Sequence, residues 1–465
     1  MNKRLYLSWC AATVAWLLGG CVGPNYHRPA VDLPAGWKET TPVATAGPAN
    51  TALWWRNFQD TELTSLVERG LKNNLDVQLA EARLRQARAA RGVVIGGLLP
   101  GLTASGSALH GESKPDPATD NTFQAGLDAI WELDIFGGTR RNLESANAAA
   151  EAAQASLGDV QVTLAAEVAL DYLQVRSSQE QIAIAQENLS AQQHTAGLIH
   201  QRLAAGFSSA LDAANADAQV ATTASTIPPL KTSLQQAIHA LGVLLGRPPG
   251  DLVDELSSPG AVPPLPPAIP VGLPSDLLRR RPDIRSAEAQ LHAATAQIGV
   301  AVADFFPQFS LTGTATYQSN VLRSLFAADN LAWSVGPGVT WPIFQGGSIL
   351  ANVRVQQALR DQAGVTYRKT VLVALEEVED ALVALDNEED HRKALDEAVV
   401  QNRHALDLST SLYTQGQADF LTVLDAERSL YSSQTALAQS RQAAAADIIA
   451  LYKALGGGWD GSGKP

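Results

Sequence analysis

The feature that most constrains this chain is that it repeats itself. Leu75-Asp76-Val77-Gln78-Leu79-Ala80-Glu81-Ala82 is answered by Pro282-Asp283-Ile284-Arg285-Ser286-Ala287-Glu288-Ala289, an offset of 207 (283 against 76), and Pro100 and Pro307 follow at the same spacing. Ile135-Phe136-Gly137-Gly138 is echoed, one residue out of step, by Ile343-Phe344-Gln345-Gly346-Gly347. Gly206, Leu211, Asn215-Ala216-Asp217 and Gly246 return as Gly416, Leu421, Asp425-Ala426-Glu427 and Gly456, each 210 residues on (416 against 206). A length of 465 residues alone suggests several domains. Self-similarity at a fixed period replaces that prior with one unit used twice. The halves are read as 61–246 and 275–458, joined by a Pro-rich connector over 247–274. Outside them lie 1–20, 21–60 and a flexible tail, 459–465.

Each half runs through the same patterns in the same order. A helical apolar spacing after Asp76 or Asp283 ends at Pro100 or Pro307. Two strand-like segments follow, about 101–110 and 122–135 in the first half, and about 308–318 and 331–343 in the second. Then come helical hairpins, 139–246 and 348–456, turning at Gly206 and Gly416. From Ser348 to Gln415 there is no proline and only Gly364, so at 1.5 Å per residue this helix can reach ~100 Å. Pro228-Pro229 should interrupt and kink the first return helix. The connector, with Pro263-Pro264-Leu265-Pro266-Pro267 at its centre, reads as a semi-rigid strap or a simple linker.

The strands alternate with period two. Phe123, Ala125, Leu127, Ala129, Trp131 and Leu133 alternate with Gln124, Gly126, Asp128, Ile130, Glu132 and Asp134. Phe309, Leu311, Gly313, Ala315 and Tyr317 alternate with serine, threonine and glutamine, and Pro337 is a blemish that belongs on an edge. Each strand is about ten residues, the length that crosses a bilayer at a tilt. Four strands are too few for a barrel, and lipid tolerates no open sheet edge, so other chains must complete the sheet. Oligomerisation is thus a deduction from strand count; the number of subunits is not.

The N-terminus carries an address. Lys3-Arg4 and an apolar run of about 14 residues form a secretory signal, too short to span a membrane. The run ends Leu18-Gly19-Gly20-Cys21, small residues before a cysteine, which points to cleavage and lipid attachment at Cys21; an ordinary signal before a chance cysteine is the alternative. Two or more acyl chains hold firmly to a membrane. Removing the first twenty residues takes away Lys3 and Arg4 and no acid, so the net charge of −13 becomes −15.

That acidity argues against nucleic acid as a partner. An enzyme is not expected: Gly458 to Lys464 imitates a phosphate loop, but Pro465 stands where Ser or Thr must bind magnesium. No metal site or cofactor is expected, since the eight histidines are scattered. The acids Glu376-Glu377-Val378-Glu379-Asp380 and Glu388-Glu389-Asp390 read as solvated helix faces.

Three long phrases carry a family resemblance: Cys21-Val22-Gly23-Pro24-Asn25-Tyr26-His27-Arg28-Pro29, Gly272 through Arg279-Arg280-Arg281-Pro282-Asp283-Ile284, and Leu451-Tyr452-Lys453-Ala454-Leu455-Gly456-Gly457-Gly458-Trp459. The chain resembles the TolC-like outer-membrane factors, in the lipoprotein (NodT- and OprM-like) branch that serves resistance-nodulation-division efflux pumps. The resemblance implies a mainly α fold with a membrane β-barrel. Four strands per chain would form a trimeric 12-stranded barrel above a long α-helical periplasmic barrel. It implies a homotrimer in outer-membrane lipid, with a periplasmic adaptor and an inner-membrane pump as partners, conducting small molecules such as drugs or toxic compounds. By motif the gate falls on Leu421 and Asp425, with Arg428 one helical turn on and Tyr413 as a latch between helices. Asp212 is a substitute acid for the family position here held by Thr422. Asp128, Glu132 and Asp134 are then expected to face or edge the lumen. A channel for type I protein secretion or metal export remains an alternative, as does a non-conducting structural lipoprotein.

Overall fold

The duplication reappears as paired elements, four of the pairs equal in length. In this computed structural model the described residues are 20–39, 41, 44–45, 51–112 and 119–459. The signal, up to residue 19, and tail residues 460–465 lie outside them. The first pass runs α1 (Thr61–Asn73), α2 (Leu75–Gly96), β1 (Gly101–Glu112), β2 (Thr119–Leu133), α3 (Gly138–Ala204) and α4 (Ala210–Leu244). The second runs α5 (Pro274–Arg280), α6 (Pro282–Ala303), β3 (Gln308–Ser319), β4 (Leu331–Thr340), α7 (Ser348–Thr414) and α8 (Phe420–Ala454). Helices α2 and α6 have 22 residues each and β1 and β3 have 12 each, 207 apart (308 against 101). Helices α3 and α7 have 67 each, and α4 and α8 have 35 each, 210 apart (420 against 210).

The hairpin turns show why these lengths repeat. Gly206 and Gly416 take φ of +79° and +74°, a left-handed conformation that costs glycine nothing. Beyond them the Phe207 amide donates back to the Arg202 carbonyl and the Gln417 amide to the Leu412 carbonyl, at 2.8 and 2.9 Å, closing both long helices in the same way. The return helices start on matching caps with the chemistry exchanged. Ser209 caps α4 and Asp212 reaches back to it, whereas Asp419 caps α8 and accepts from the Thr422 amide and hydroxyl. Pro228-Pro229 does not interrupt its helix: α4 is continuous from Ala210 to Leu244. Both prolines lie on an exposed stretch, where carbonyls left without a helical donor can turn to water.

The described residues group into two compact units, and each draws on both halves. One comprises the described parts of 1–31, 82–154 and 286–369, and the other those of 32–81, 155–285 and 370–465.

The first unit holds one antiparallel sheet in the order β1-β2-β3-β4, so the halves join where β2 pairs β3. The register is Trp131 opposite Leu311, Leu127 opposite Ala315 and Asp128 opposite Thr314. The outer edges of β1 and β4 have no strand partner among the described residues, and Pro337 sits on edge strand β4, where a proline is tolerated. The Cys21–Pro29 phrase is bound to this unit. The Val22 amide donates to the Phe136 carbonyl at 3.1 Å, and buried Arg141 donates to the Val22 carbonyl at 3.1 Å and to Asn25 Oδ1 at 2.7 Å. The Tyr26 ring stacks on His292 at 4.4 Å, and Arg28 and Tyr26 both donate to Glu288.

The second unit has a core built from residues far apart in the chain. Trp54, Trp55 and Phe58, on a short 3-10 turn, are buried, with Trp54 stacked on Tyr452 at 5.4 Å. Trp459, expected in a flexible tail, is instead held here. Its indole donates to the Arg280 carbonyl at 2.9 Å, Arg285 lies 5.0 Å above its ring, and a Cβ at Gly158 would meet the ring at 2.6 Å. Glycine inside α3 is therefore the space that the tryptophan fills. The second and third marker phrases pack against each other here. Arg281 forks onto Asp283 at 2.7 and 3.0 Å, reaches Glu377 at 2.5 Å and caps the Ala454 carbonyl at 3.0 Å. The connector is pinned as well, with Gln179 donating to the Leu256 carbonyl and Arg176 to that of Ser258, at 2.7 and 3.1 Å.

Candidate gate, lumen face and lipid anchor

The hairpin tips are tied by a shared core. Ala196 and Ile199 of α3, Ala213 and Ala216 of α4, Tyr413 of α7, and Phe420, Val423 and Leu424 of α8 bury one another. The 3.6-residue period leaves the other face of α8 outside it. Leu421 is 48% exposed, and Asp425 and Arg428 are exposed on the same side. The Asp425 carboxylate stands 4.0 Å from an Arg428 guanidinium nitrogen, while Arg428 Nε donates to buried Gln219 of α4 at 2.8 Å. An exposed pair at that distance contributes little by itself. The arginine is more firmly held to the neighbouring hairpin than to the acid.

Tyr413 also joins the two hairpins. Its buried ring lies under the Arg202 guanidinium of α3 at 4.8 Å and 5.7 Å from the Phe420 ring. Its hydroxyl has no hydrogen-bond partner among the described residues. Asp212 is brought to the tip, but as a cap rather than a free acid. It accepts from the Ser209 amide and the Ser208 hydroxyl at 3.0 Å each, and the backbone donor holds its carboxyl below the usual range. Ser-x-x-Asp ahead of a helix is the signature that identifies this role.

On the sheet, side-chain alternation separates two faces. One carries Leu102, Leu127, Trp131, Leu311, Trp333, Val335 and Val339, all exposed. The other carries Thr103, Asp128, Thr314 and Ser334 in one row across all four strands, and Glu132 opposite Ser310. Asp128 and Glu132 thus lie on the polar face of the sheet. Asp134 does not: β2 ends at Leu133, and its carboxylate accepts from the Thr139 and Arg140 amides at 3.1 and 2.8 Å. An acid just before a helix is drawn to the orphan amides of its first turn. Trp131 and Trp341 donate to the Leu98 and Phe305 carbonyls, both at 3.0 Å, the arrangement of an interface aromatic with one wet end.

Cys21 sits where the strands give way to the helices. A Cβ on Gly137, whose φ is +83°, would be 2.7 Å from the Cys21 sulfur, so the cysteine is packed against the turn between β2 and α3. Among the described residues no helix is long and apolar enough to cross a membrane, and no group of three or more His, Cys, Asp or Glu side chains is placed to hold a metal ion.

An open four-stranded sheet with one apolar face, in a chain whose other main elements are long helical hairpins, fits an outer-membrane conduit subunit. Comparison with known proteins agrees. The profile of the outer membrane efflux protein family matches residues 66–247 and 273–457. Nodulation protein T of Rhizobium leguminosarum bv. trifolii is 36% identical over 449 residues, covering 96% of each chain. The cation efflux system protein CusC of Escherichia coli O6:H1 is 33% identical over 467 residues, covering 99% of this chain and all of its own. The solved structure of the outer-membrane channel OprN superposes with a TM-score of 0.88 at 39% identity, covering 94% of this chain and 99% of that one. The chain belongs to the outer membrane efflux protein family. It is an outer-membrane channel subunit of a tripartite efflux system, working as a homotrimer with a periplasmic adaptor and an inner-membrane resistance-nodulation-division pump.

Proposed function

We propose that three copies of this chain form a passive conduit gated at the tips of the second hairpin, with Leu421 as an apolar ring and Asp425 as an acidic ring. The observation that carries this is the outward face at the start of α8. Leu421 is half exposed while Phe420, Val423 and Leu424 beside it are buried. A leucine left in water next to a finished core gains by meeting its own copies on a common axis. Three Asp425 carboxylates brought together repel, which favours a bound cation or closer pairing with Arg428. Tyr413 holds the two hairpins of each chain together so that the tips move as one body. The cargo is small molecules, such as drugs or toxic compounds, selected by the pump rather than by this wall. Asp128 and Glu132 line the strand lumen and make it cation-preferring. Cys21 carries the lipid.

Planar-bilayer recording of the purified trimer tests the gate. Leu421→Ala and Asp425→Ala are expected to raise single-channel conductance in the closed state, and Asp128→Asn with Glu132→Gln to reduce cation preference in the reversal potential. Unchanged conductance in both tip variants overturns the gate assignment, and anion preference in the parent overturns the lumen one.

A further inference from the structure

The connection between β3 and β4 has its polarity reversed relative to a loop in water. Val321, Leu322 and Phe326 are 55%, 63% and 71% exposed, and only Leu325 of its large apolar side chains is buried. The serines and Asn330 turn inward instead. Ser319 Oγ lies 2.9 Å from Ser324 Oγ, the Ser324 hydroxyl donates to the Val321 carbonyl at 3.0 Å, and Asn330 donates to the Ser324 carbonyl at 2.7 Å. Two 3-10 turns, Leu322–Ser324 and Ala328–Asn330, complete this shape. Water favours the opposite arrangement, since it satisfies hydroxyls and amides by itself and penalises bare leucine and phenylalanine.

The loop continues the apolar face of the sheet. Tyr317 stands opposite Leu331 on that face, the next pair along after Ala315 and Trp333, and the Phe326 ring packs edge-on against Tyr317 at 5.5 Å. Tyr317 belongs to β3, which has β2 on one side and β4 on the other, so Phe326 lies over the sheet and not off an open edge. Helix α6 ends just before β3 and α7 begins just after β4, which puts the loop at the end of the strands remote from the helices. Leu331 and Trp341 are ten residues apart (341 against 331), ~33 Å along a strand. A tilt of about 40° brings that to ~25 Å, the height of the apolar band of a membrane barrel. Trp341 then marks one boundary of the band and the Tyr317-Phe326 pair the other. The four strands carry no lysine or arginine. Arg323, exposed beside Leu322, makes no ion pair among the described residues, not even with Asp329 of the same loop.

We propose that the β3–β4 loop is a lipid-docking surface, in which Leu322 and Phe326 enter the acyl region of the leaflet remote from the helices and Arg323 takes a lipid phosphate. The occupant is membrane lipid because the outer side of the loop is continuous with the strand face that lies in lipid. A second copy meets the sheet at its open edges, whereas this patch sits over inner strand β3. The aliphatic stem of an arginine lies along apolar surface while its guanidinium forks onto phosphate oxygens, which suits a residue set between leucine and phenylalanine at that boundary. The inward hydrogen bonds hold the loop in shape beforehand, so little ordering is needed on contact. The inference rests on the outer-membrane reading and adds to it a segment that reaches into the bilayer and the class of lipid it meets.

Nitroxide labels on the full-length chain in lipid vesicles test the depth. Labels are placed singly at Leu322→Cys and Phe326→Cys, at Val335→Cys on the apolar strand face, and at Asp390→Cys on the acidic side of α7, with the parent carrying only Cys21 as background. Oxygen, which partitions into lipid, is expected to relax the labels at 322 and 326 more than a water-soluble nickel chelate does, as at 335 and opposite to 390. Nickel dominating at 322 and 326 while oxygen dominates at 335 overturns the loop proposal alone. Nickel dominating at 335 as well counts against the outer-membrane reading instead. Labels at 322 and 326 that neither reagent reaches mean that a neighbouring copy covers the patch, which also overturns it. For the phosphate, the dissociation temperature of the trimer in detergent is compared with added phosphatidic acid, diacylglycerol of the same chains, or inorganic phosphate. Phosphatidic acid is expected to raise it above the diacylglycerol value in the parent, with the difference lost in Arg323→Gln and partly kept in Arg323→Lys. An equal difference in R323Q removes the phosphate from Arg323, and an equal rise with inorganic phosphate alone makes the ligand a free anion, not a lipid.

Discussion

Asp171 illustrates how much single side chains on the long helices depend on their surroundings. Burial pushes its carboxyl up to about 6, and Glu167 one turn earlier adds to the shift; Asp447 is raised to about 6 in the same way, by burial and then by Glu388. A carboxyl whose folded pKa lies above its unfolded value stabilises most below the unfolded value, and that stability is lost as pH rises through about 6. Asp171→Asn is therefore expected to raise thermal stability at pH 7 relative to the parent, with little change at pH 4. The gain should be of order 1 kcal/mol once screening by solvent is allowed for. A pH-independent effect of the substitution would show that the carboxylate charge is not what costs. At this scale the sequence was legible in kind but not in role. Asp128, Glu132, Asp134 and Asp212 are all acids near turns or strands. Ser-x-x-Asp marks Asp212 as a cap, whereas only geometry separates Asp128 and Glu132, on a polar face, from Asp134, spent on helix amides.

At the scale of elements the period-two and helical patterns were enough to place strands and hairpins to within a few residues, because each has one face that must be buried or lipid-covered. What they did not locate is the packing between elements far apart in the chain. Arg281 is buried beneath the C-terminal end of α8, where it forks onto Asp283, reaches Glu377 and donates to the Ala454 carbonyl of the glycine-rich phrase. Removing Arg281 takes the shared cation from Asp283 and Glu377, which are partly exposed, and the donor from the Ala454 carbonyl. Arg281→Ala should cost about 1–2 kcal/mol in chemical denaturation, with Arg281→Lys intermediate because it keeps the charge and loses the fork. An alanine variant as stable as the parent would reduce this cluster to a surface pair. The Trp54-Trp55-Phe58 turn carried a readable signal, an aromatic cluster just before the Asp60 helix cap, but its partner Tyr452 is 398 residues away (452 against 54) and no local pattern connects them.

For the whole molecule the anchor and the assembly belong together. Cys21 is packed against Gly137 at the turn where β2 ends, beside the strands that the proposed lipid anchor would hold at the membrane. Metabolic labelling with palmitate should mark the parent chain, and Cys21→Ser should lose the label while trimers still form; label persisting on C21S would move the attachment elsewhere. By itself the sequence determined the duplication, the order of elements, the polarity of the strand faces and the need for partner chains. These follow from periodicity and from the impossibility of an open sheet edge in lipid, both of which are local or counting arguments. The tertiary structure alone decided which acids are free, where Trp459 and the N-terminal aromatics are buried, and how β2 of one half registers on β3 of the other. Those depend on contacts between residues hundreds of positions apart, where burial and hydrogen-bond geometry select among pairings that the one-dimensional pattern leaves equivalent.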